Sequence, residues 1–351
     1  MADADAESSS GARSRRRLLN LNVALLVFFA VLVGGVGAAV ALGGRSGGGP
    51  GRPSPTITVG EDPAALAVTP DGRTVYVANE ADNTVTPVNV RTGTAGTPIP
   101  VGRDPDALAV TPDGVTLFVA NYLSDTVTPV NVATGVPGPP IPAGSGPQAL
   151  ALSPGGWILY VSDFDAGTVT PINVAGDHAG RPILVQSPWP LAVTPNGRTL
   201  YVGANGEDEV VPVDLATGTA GPPIQLGDND PVSLAVAPDG RTLYEGCAGA
   251  PGGASNSVTP IDVATGVAGS SIPLAGDPQG MVMAPDGKTL YVSDGDSDGD
   301  TVTPIDLATG RAGRPILVGH QPMALAVTPN GKILYAANYM DGTVSVVTLR
   351  G

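Results

Sequence analysis

Ala107-Leu-Ala-Val-Thr-Pro-Asp-Gly114, Thr116-Leu-Phe-Val-Ala-Asn121, Thr126-Val-Thr-Pro-Val-Asn-Val132 and Ala133-Thr-Gly135 form one copy of a phrase repeated seven times between Ala64 and Thr348. The prolines that open the copies are Pro63, Pro105, Pro147, Pro188, Pro231, Pro278 and Pro322, spaced by 42, 42, 41, 43, 47 and 44 residues. A period of about 40–45 residues built from short apolar runs is that of a four-stranded propeller blade. One copy cannot bury its own apolar face, so the copies must pack on one another as a single unit.

Each copy reads as four strands. The first, Ala-Leu-Ala-Val, has the small side chains that a crowded centre demands. Next, Thr69-Pro-Asp-Gly72 and its counterparts place Pro and Asp in a type I turn, with glycine supplying the positive φ that follows. The second strand carries one large ring per copy, at Tyr76, Phe118, Tyr160, Tyr201, Tyr244, Tyr291 and Tyr335. A ring fixed at one place in every copy predicts packing between neighbouring sheets. In the third strand, proline recurs at Pro87, Pro129, Pro171, Pro212, Pro260 and Pro304. A proline inside a sheet removes a ladder donor. The fourth-strand phrase, Pro98-Ile-Pro-Val-Gly102, is proline-rich as well. Pairing of the outer two strands is therefore expected to be sparse.

The ends of the repeat array fit each other. Copy seven stops after its third strand, Thr343 to Leu349, and an orphan Thr56-Ile-Thr-Val-Gly60 with the fourth-strand pattern precedes copy one. Closing the ring with that N-terminal strand would remove two exposed sheet edges. The predicted fold class is all-β: a seven-bladed β-propeller of four-stranded antiparallel blades over residues 56–351, closed by an N-terminal strand.

The phrases Tyr76-Val-Ala-Asn79, Phe118-Val-Ala-Asn121 and Tyr335-Ala-Ala-Asn338 resemble the YVTN repeat, and the surrounding Thr-Pro-Asp-Gly and Ala-Thr-Gly phrases complete the likeness to YncE-like proteins. The resemblance covers residues 56–351. It implies a seven-bladed propeller at the bacterial cell surface or in the exported space, and no single chemistry. The third-strand proline departs from the Val-Ser-Val form, which only Val344-Ser-Val346 retains.

Upstream, residues 1–17 are a basic tail ending in Arg15, Arg16 and Arg17, and residues 18–42 include Val23 to Leu42 without a charge. About 20 apolar residues span a bilayer as a helix, and the arginines orient it with the tail in the cytoplasm. This segment is read as a single-pass transmembrane signal-anchor. The alternative is a cleaved signal, given the small-x-small Ala39-Val40-Ala41 and the twin-arginine-like Ser14 to Leu19. Either way the propeller is exported, behind a flexible Gly/Pro/Ser linker at 43–55.

The formal net charge is −15, with 17 basic against 32 acidic residues. Such a chain offers no basic stripe for nucleic acid. One cysteine, Cys247, allows neither an intrachain disulfide nor a Cys-x-x-Cys-His haem attachment, and is read as a small buried apolar residue. No Gly-x-Ser-x-Gly elbow is present, and the two histidines, His178 and His320, make no cluster.

Ligands of propellers usually meet the face formed by the strand 2–3 loops and the blade connectors. Tyr122, Phe164 and Tyr339 follow the second strand, and Trp189 is placed in a connector; together they make a candidate partner-binding patch. Asp294-Gly-Asp-Ser-Asp-Gly-Asp300 alternates carboxylates as a calcium loop does, making Asp294, Asp296, Asp298 and Asp300 candidate Ca2+ ligands. Position twelve is Ile305 rather than the bidentate glutamate, and the competing reading is a solvated acidic turn. Asn79, Asn121, Asp163, Asp294 and Asn338 end the second strands and are read as turn caps rather than ligands. The expected function is a membrane-tethered, monomeric binding or scaffold module for a protein or wall partner at the cell surface. A lactonase-like hydrolase, a redox-cofactor propeller and a structural surface-layer component are the alternatives.

Overall fold

The computed structural model describes residues 54–226, 229–249 and 256–349. The basic tail, the apolar segment 18–42 with its predicted transmembrane helix, and the linker up to residue 53 lie outside the described residues. Among the described residues no helix is long and apolar enough to cross a membrane, and the helical elements are two 3-10 turns, Tyr122–Ser124 and Tyr339–Asp341.

Seven antiparallel sheets follow the seven copies. Blade 1 is typical, with strands Pro63–Val68, Thr74–Asn79 and Thr84–Asn89. First strands of successive blades contact one another all round the ring, and that of blade 7, Pro322–Val327, touches those of blades 6 and 1. Second strands are covered on both faces by neighbouring blades, which is why they read as unbroken apolar runs rather than alternating ones. The recurring ring packs between sheets as expected. Tyr76 lies with Leu117, Val119 and Val130 of blade 2, and Tyr335 with Val75, Val77 and Val88 of blade 1. Tyr291 is the partial exception, being half-buried.

Ring closure is by the N-terminal strand. Thr56, Ile57 and Thr58 pair with Ser345, Val344 and Thr343, and Val59 N–H donates to Gly342 C=O at 3.1 Å. Thr56–Thr58 therefore runs antiparallel to a strand that descends from the strand 2–3 loops to the opposite rim.

The fourth strand is split, and the third-strand proline explains the break. Thr94–Ala95 pairs with the end of the third strand of blade 1 and Ile99–Pro100 with its beginning. Between them Gly96 N–H donates to Pro87 C=O at 2.7 Å. In an extended residue the N–H and C=O point to the same side, so the donor that proline lacks would have faced the outer strand. No bond to the second strand is lost, which is how a proline survives at this position. All six prolines repeat the arrangement, with Gly96, Gly138, Gly180, Gly221, Gly269 and Gly313 each donating at 2.7 Å. A Cβ on Gly96 would come within 3.1 Å of Pro87 Cγ, so glycine permits the approach. Blade 7 has Val346 instead, and its restored N–H donates to Pro55 C=O at 2.8 Å. The copy that lacks the proline is thus the copy whose outer strand comes from the other end of the chain.

Candidate functional site

Two faces flank the ring. The loop face carries the strand 2–3 loops and the blade connectors; the turn face carries the Thr-Pro-Asp-Gly turns and the turns after strand 3. On the loop face the residues ending the second strands are buried: Asn79, Asn121, Asp163 and Asn338 are all 0 % exposed. Asn79 Oδ1 accepts from Gly60 N–H at 3.2 Å, and its Nδ2 donates to Thr84 Oγ1 at 3.1 Å and Thr86 Oγ1 at 2.9 Å. The side chain thus latches the preceding connector to the following strand, a wider role than a turn cap. Asn338 repeats it with Gly319, Thr343 and Ser345. Asp163 does so with Gly144, Thr168 and Thr170, and burial pushes its carboxyl up to about 6 despite those bonds.

Exceptions to the latch come in matched sets. Blade 4 has Ala204 where the latch would be, and Val211 where the others have a threonine or serine. Blade 5 has Cys247, whose Sγ lies 3.0 Å from Ser257 Oγ. Loss of both polar partners together leaves no buried group unsatisfied, whereas losing one would cost about 1–3 kcal/mol.

The four predicted aromatics are half-buried on this face. Tyr122 O–H donates to Asp165 of blade 3 at 3.2 Å, and Tyr339 O–H donates to Glu80 of blade 1 at 2.9 Å. Each tyrosine is thus a clasp to the next blade, and Tyr339 closes the ring a second time. Burial first, then Glu80 and Asp62, drives the Tyr339 phenol far above its usual range. Trp189 is not in a connector but inside the first strand of blade 4, Pro188–Val193. The register skips from Pro188 to Leu191, the place where the first strands of blades 1, 2, 3, 5 and 7 are also bulged, and Trp189 rides on that bulge. Gly203 opposite accommodates Pro190, whose Cγ would lie 2.5 Å from a Cβ there.

Beside the Tyr339 clasp, a cavity of about 300 Å³ is lined by Asp62, Glu80, Asn83, Arg103, Asp104 and Leu123. Burial raises the Asp62 carboxyl, helped by Glu61 and Asp82, while the Tyr339 hydroxyl opposes the rise. His320, without an evident partner in the sequence, places Nδ1 2.9 Å from Asp341 Oδ1, and that hydrogen bond and charge raise its pKa.

The acidic loop of blade 6 is tied into the fold through its backbone. Asp294 sits at the latch position, half-buried against Gly276, with its carboxyl raised by burial. Gly295 N–H donates to Asp277 C=O at 2.7 Å and Gln321 N–H to Gly299 C=O at 2.7 Å. Asp277 is pushed up to about 6, by burial first and then by Asp296 and Asp294. Among the described residues no three His, Cys, Asp or Glu side chains converge as metal ligands, and Asp294, Asp296, Asp298 and Asp300 are not brought to one point.

Two features escaped the reading of single motifs. Glu245 is 0 % exposed in the second strand of blade 5, where its counterparts are Val77, Val119, Val161, Val202, Val292 and Ala336. Both its carboxylate oxygens lack a hydrogen-bond partner, and burial raises its pKa to about 8, the neighbouring Thr259 offering slight relief. Aligning the seven copies column by column would have exposed it. The second is charge segregation. Among the described residues Arg103 is the sole lysine or arginine on the loop face; Arg73, Arg198, Arg241, Lys288 and Lys332 follow the glycines of the Thr-Pro-Asp-Gly turns, and Arg91, Arg181, Arg311 and Arg314 follow the third strands. Most of the carboxylates, by contrast, sit in the loops and connectors of the loop face.

A family model described as YNCE-like beta-propeller matches residues 54–221, and one described as Lactonase, 7-bladed beta-propeller matches residues 274–351. No curated protein sequence matches the chain. Among solved structures, a chain titled Kuenenia stuttgartiensis Hydrazine Synthase is similar, with a TM-score of 0.77 and 25 % identity over 84 % of this chain and 97 % of that one.

Proposed function

We propose that this seven-bladed β-propeller, whose residues 54–221 match a YNCE-like model, is an exported binding module, held at the bacterial membrane through Val23–Leu42, whose working face is the loop face. The observation that carries this reading is the charge segregation: acidic side chains crowd the loop face with one arginine among them. A face of one sign concentrates counter-charged partners and steers them inward. The partner's class is therefore cationic, a basic protein segment, with Tyr122, Phe164 and Trp189 adding rigid apolar contact across blades 2, 3 and 4. A labelled lysine-rich peptide titrated against the full chain tests it. Binding should weaken steeply with salt and fall further when Asp62 and Asp104 become asparagine and Phe164 alanine. Binding indifferent to all three changes would overturn the assignment. Protease accessibility of the propeller on intact cells tests the export separately.

A lactonase-like hydrolase is the second reading, favoured by one observation: the His320–Asp341 pair falls within the stretch matching the lactonase-type model. Hydrolysis of a lactone panel that disappears in His320→Ala would support it. The hydrazine synthase likeness supports the wheel rather than a chemistry, because a propeller hosts many activities.

A further inference from the structure

At the outer rim an isoleucine of one blade's fourth strand faces the glycine in the next blade's turn after strand 3. A Cβ placed on Gly135 would lie 3.6 Å from Ile99 Cδ1, and one on Gly266 would lie 3.6 Å from Ile224 Cδ1. Gly218, the counterpart in blade 4, would have nothing within 4 Å. That turn therefore stands away from Ile183 of blade 3, and a groove of about 620 Å³ opens between blades 3 and 4. Gly310 of blade 6 stands equally clear, but Ile272 beside it is buried, whereas Ile183 is half-buried.

The walls are apolar, built by Ile158, Ile183 and Leu215, with Leu184 79 % exposed at one end. Two polar groups interrupt them. In the ring column, Tyr76 O–H donates to Val132 C=O and Tyr201 O–H to Val263 C=O, each at 3.4 Å. Leu215 holds that place for Tyr160, yet no hydrogen bond joins the two among the described residues, and the phenol borders the groove instead. Tyr160 is only 7 % exposed, and a hydroxyl on so buried a residue calls for a partner. The second group is Arg181, the one charged residue of the wall, which forms no ion pair among the described residues. The other ionisable groups of these two turns, Asp177, His178 and Asp214, are exposed and outside the wall. Asp214 is engaged in its own turn, where it accepts from Ala216 N–H, Thr217 N–H and Thr217 Oγ1.

We propose that this groove binds a small apolar carboxylate, with its body against Ile158, Ile183 and Leu215, its charge on Arg181 and the Tyr160 hydroxyl as a second donor. Charge complementarity selects the class: in a chain of net charge −15, the groove's one charge is positive and unpaired. A cavity of about 300–1,000 Å³ with apolar walls and a few polar groups is the usual form of a small-molecule site. Guanidinium and phenol supply donors, and a carboxylate has two oxygens to accept them. A neutral apolar molecule would leave Arg181 unused, and a cation would meet a like charge. The groove shares no residue with the loop-face site, so the two readings stand or fall separately.

The test titrates phenylacetate into the full chain carrying carbon-13 at its isoleucine and leucine methyl groups, followed by NMR. Ring-current shifts at the methyls of Ile183, Leu184 and Leu215 are expected to saturate. Phenylethanol, the same ring without the charge, should bind about two- to fivefold more weakly. Arg181→Gln should weaken phenylacetate by that factor and leave phenylethanol unchanged, with Tm unaltered because Arg181 is exposed. Tyr160→Phe keeps the packing ring and should also weaken phenylacetate. Absence of a saturable shift at these methyls overturns the site. Equal binding of the two probes, or phenylacetate binding indifferent to Arg181→Gln, overturns the carboxylate assignment.

Discussion

Replacing Glu245 with valine should stabilise the protein, and by an amount that depends on pH. The side chain is wholly buried, both oxygens lack a partner, and its pKa is raised from 4.5 to about 8. The unfolded chain gives up this proton in the ordinary carboxylate range and the folded protein only near the raised value. Between the two the folded state holds the extra proton, so stability falls as pH rises through that window and levels off above it. At roughly 1.4 kcal/mol per pH unit, the loss from this group approaches about 5 kcal/mol by the upper end. Valine removes the slope, and the column of Val77, Val119, Val161, Val202 and Val292 shows that it fits this seam. The volume lost relative to glutamate offsets the gain by about 1 kcal/mol. The expected advantage of Glu245→Val is therefore small at about pH 5 and about 3–4 kcal/mol at about pH 8.5, or roughly 5–10 °C in Tm. Calorimetry of both chains across that range reads it, with Glu245→Gln as the isosteric control lacking the titration. An advantage identical at both pH values, or a variant less stable than wild type at the higher one, would refute the reasoning.

Three further outcomes follow from the same physics. Asp163→Asn keeps the latch geometry of Asn79 and Asn338 but removes a carboxyl whose pKa is raised to about 6. It should raise Tm above pH 6 and abolish the decline in stability as pH climbs from the ordinary aspartate range to that value, as followed by thermal melts. Val346→Pro deletes the N–H that bonds Pro55 C=O at 2.8 Å. It should cost about 1–3 kcal/mol in chemical denaturation, whereas Pro87→Val in blade 1 should cost less, since no acceptor there awaits a donor. Asp341→Asn should lower the His320 titration midpoint seen by NMR, because that carboxylate is the main cause of its upward shift.

The sequence revealed the ring because each blade repeats the same local conflicts and solutions. A count of seven, the hairpin turns and the N-terminal closing strand could all be read from spacing and one leftover phrase. The split fourth strand was half-legible. Proline signalled weak outer pairing, but the direction in which its missing N–H points depends on strand register, which spacing does not give. Trp189 was misplaced because the first strand begins at the opening proline and carries a bulge just after it, which keeps the residue inside a strand where the pattern suggested a connector. The clasps of Tyr122 and Tyr339 were invisible because their partners, Asp165 and Glu80, lie 43 and 259 residues away. Asp294 was legible both as the start of an acidic loop and as a member of the column that ends the second strands, and it occupies that column in the fold.

Departures from the repeat fall into two physical kinds. Ala204 with Val211, Cys247 with Ser257, and Val346 with Pro55 are changes that arrive with their complement, so every buried donor and acceptor still has its answer. Such sets preserve the fold and imply nothing about function. Glu245 and the Val115–Trp157 pair arrive without one: a carboxyl in an apolar seam, and apolar side chains in solvent at positions where other blades carry cations. Neither improves the isolated ring, since burying an unpartnered carboxyl costs free energy and exposing a tryptophan forgoes burial. An uncompensated departure calls for something beyond the ring to account for it.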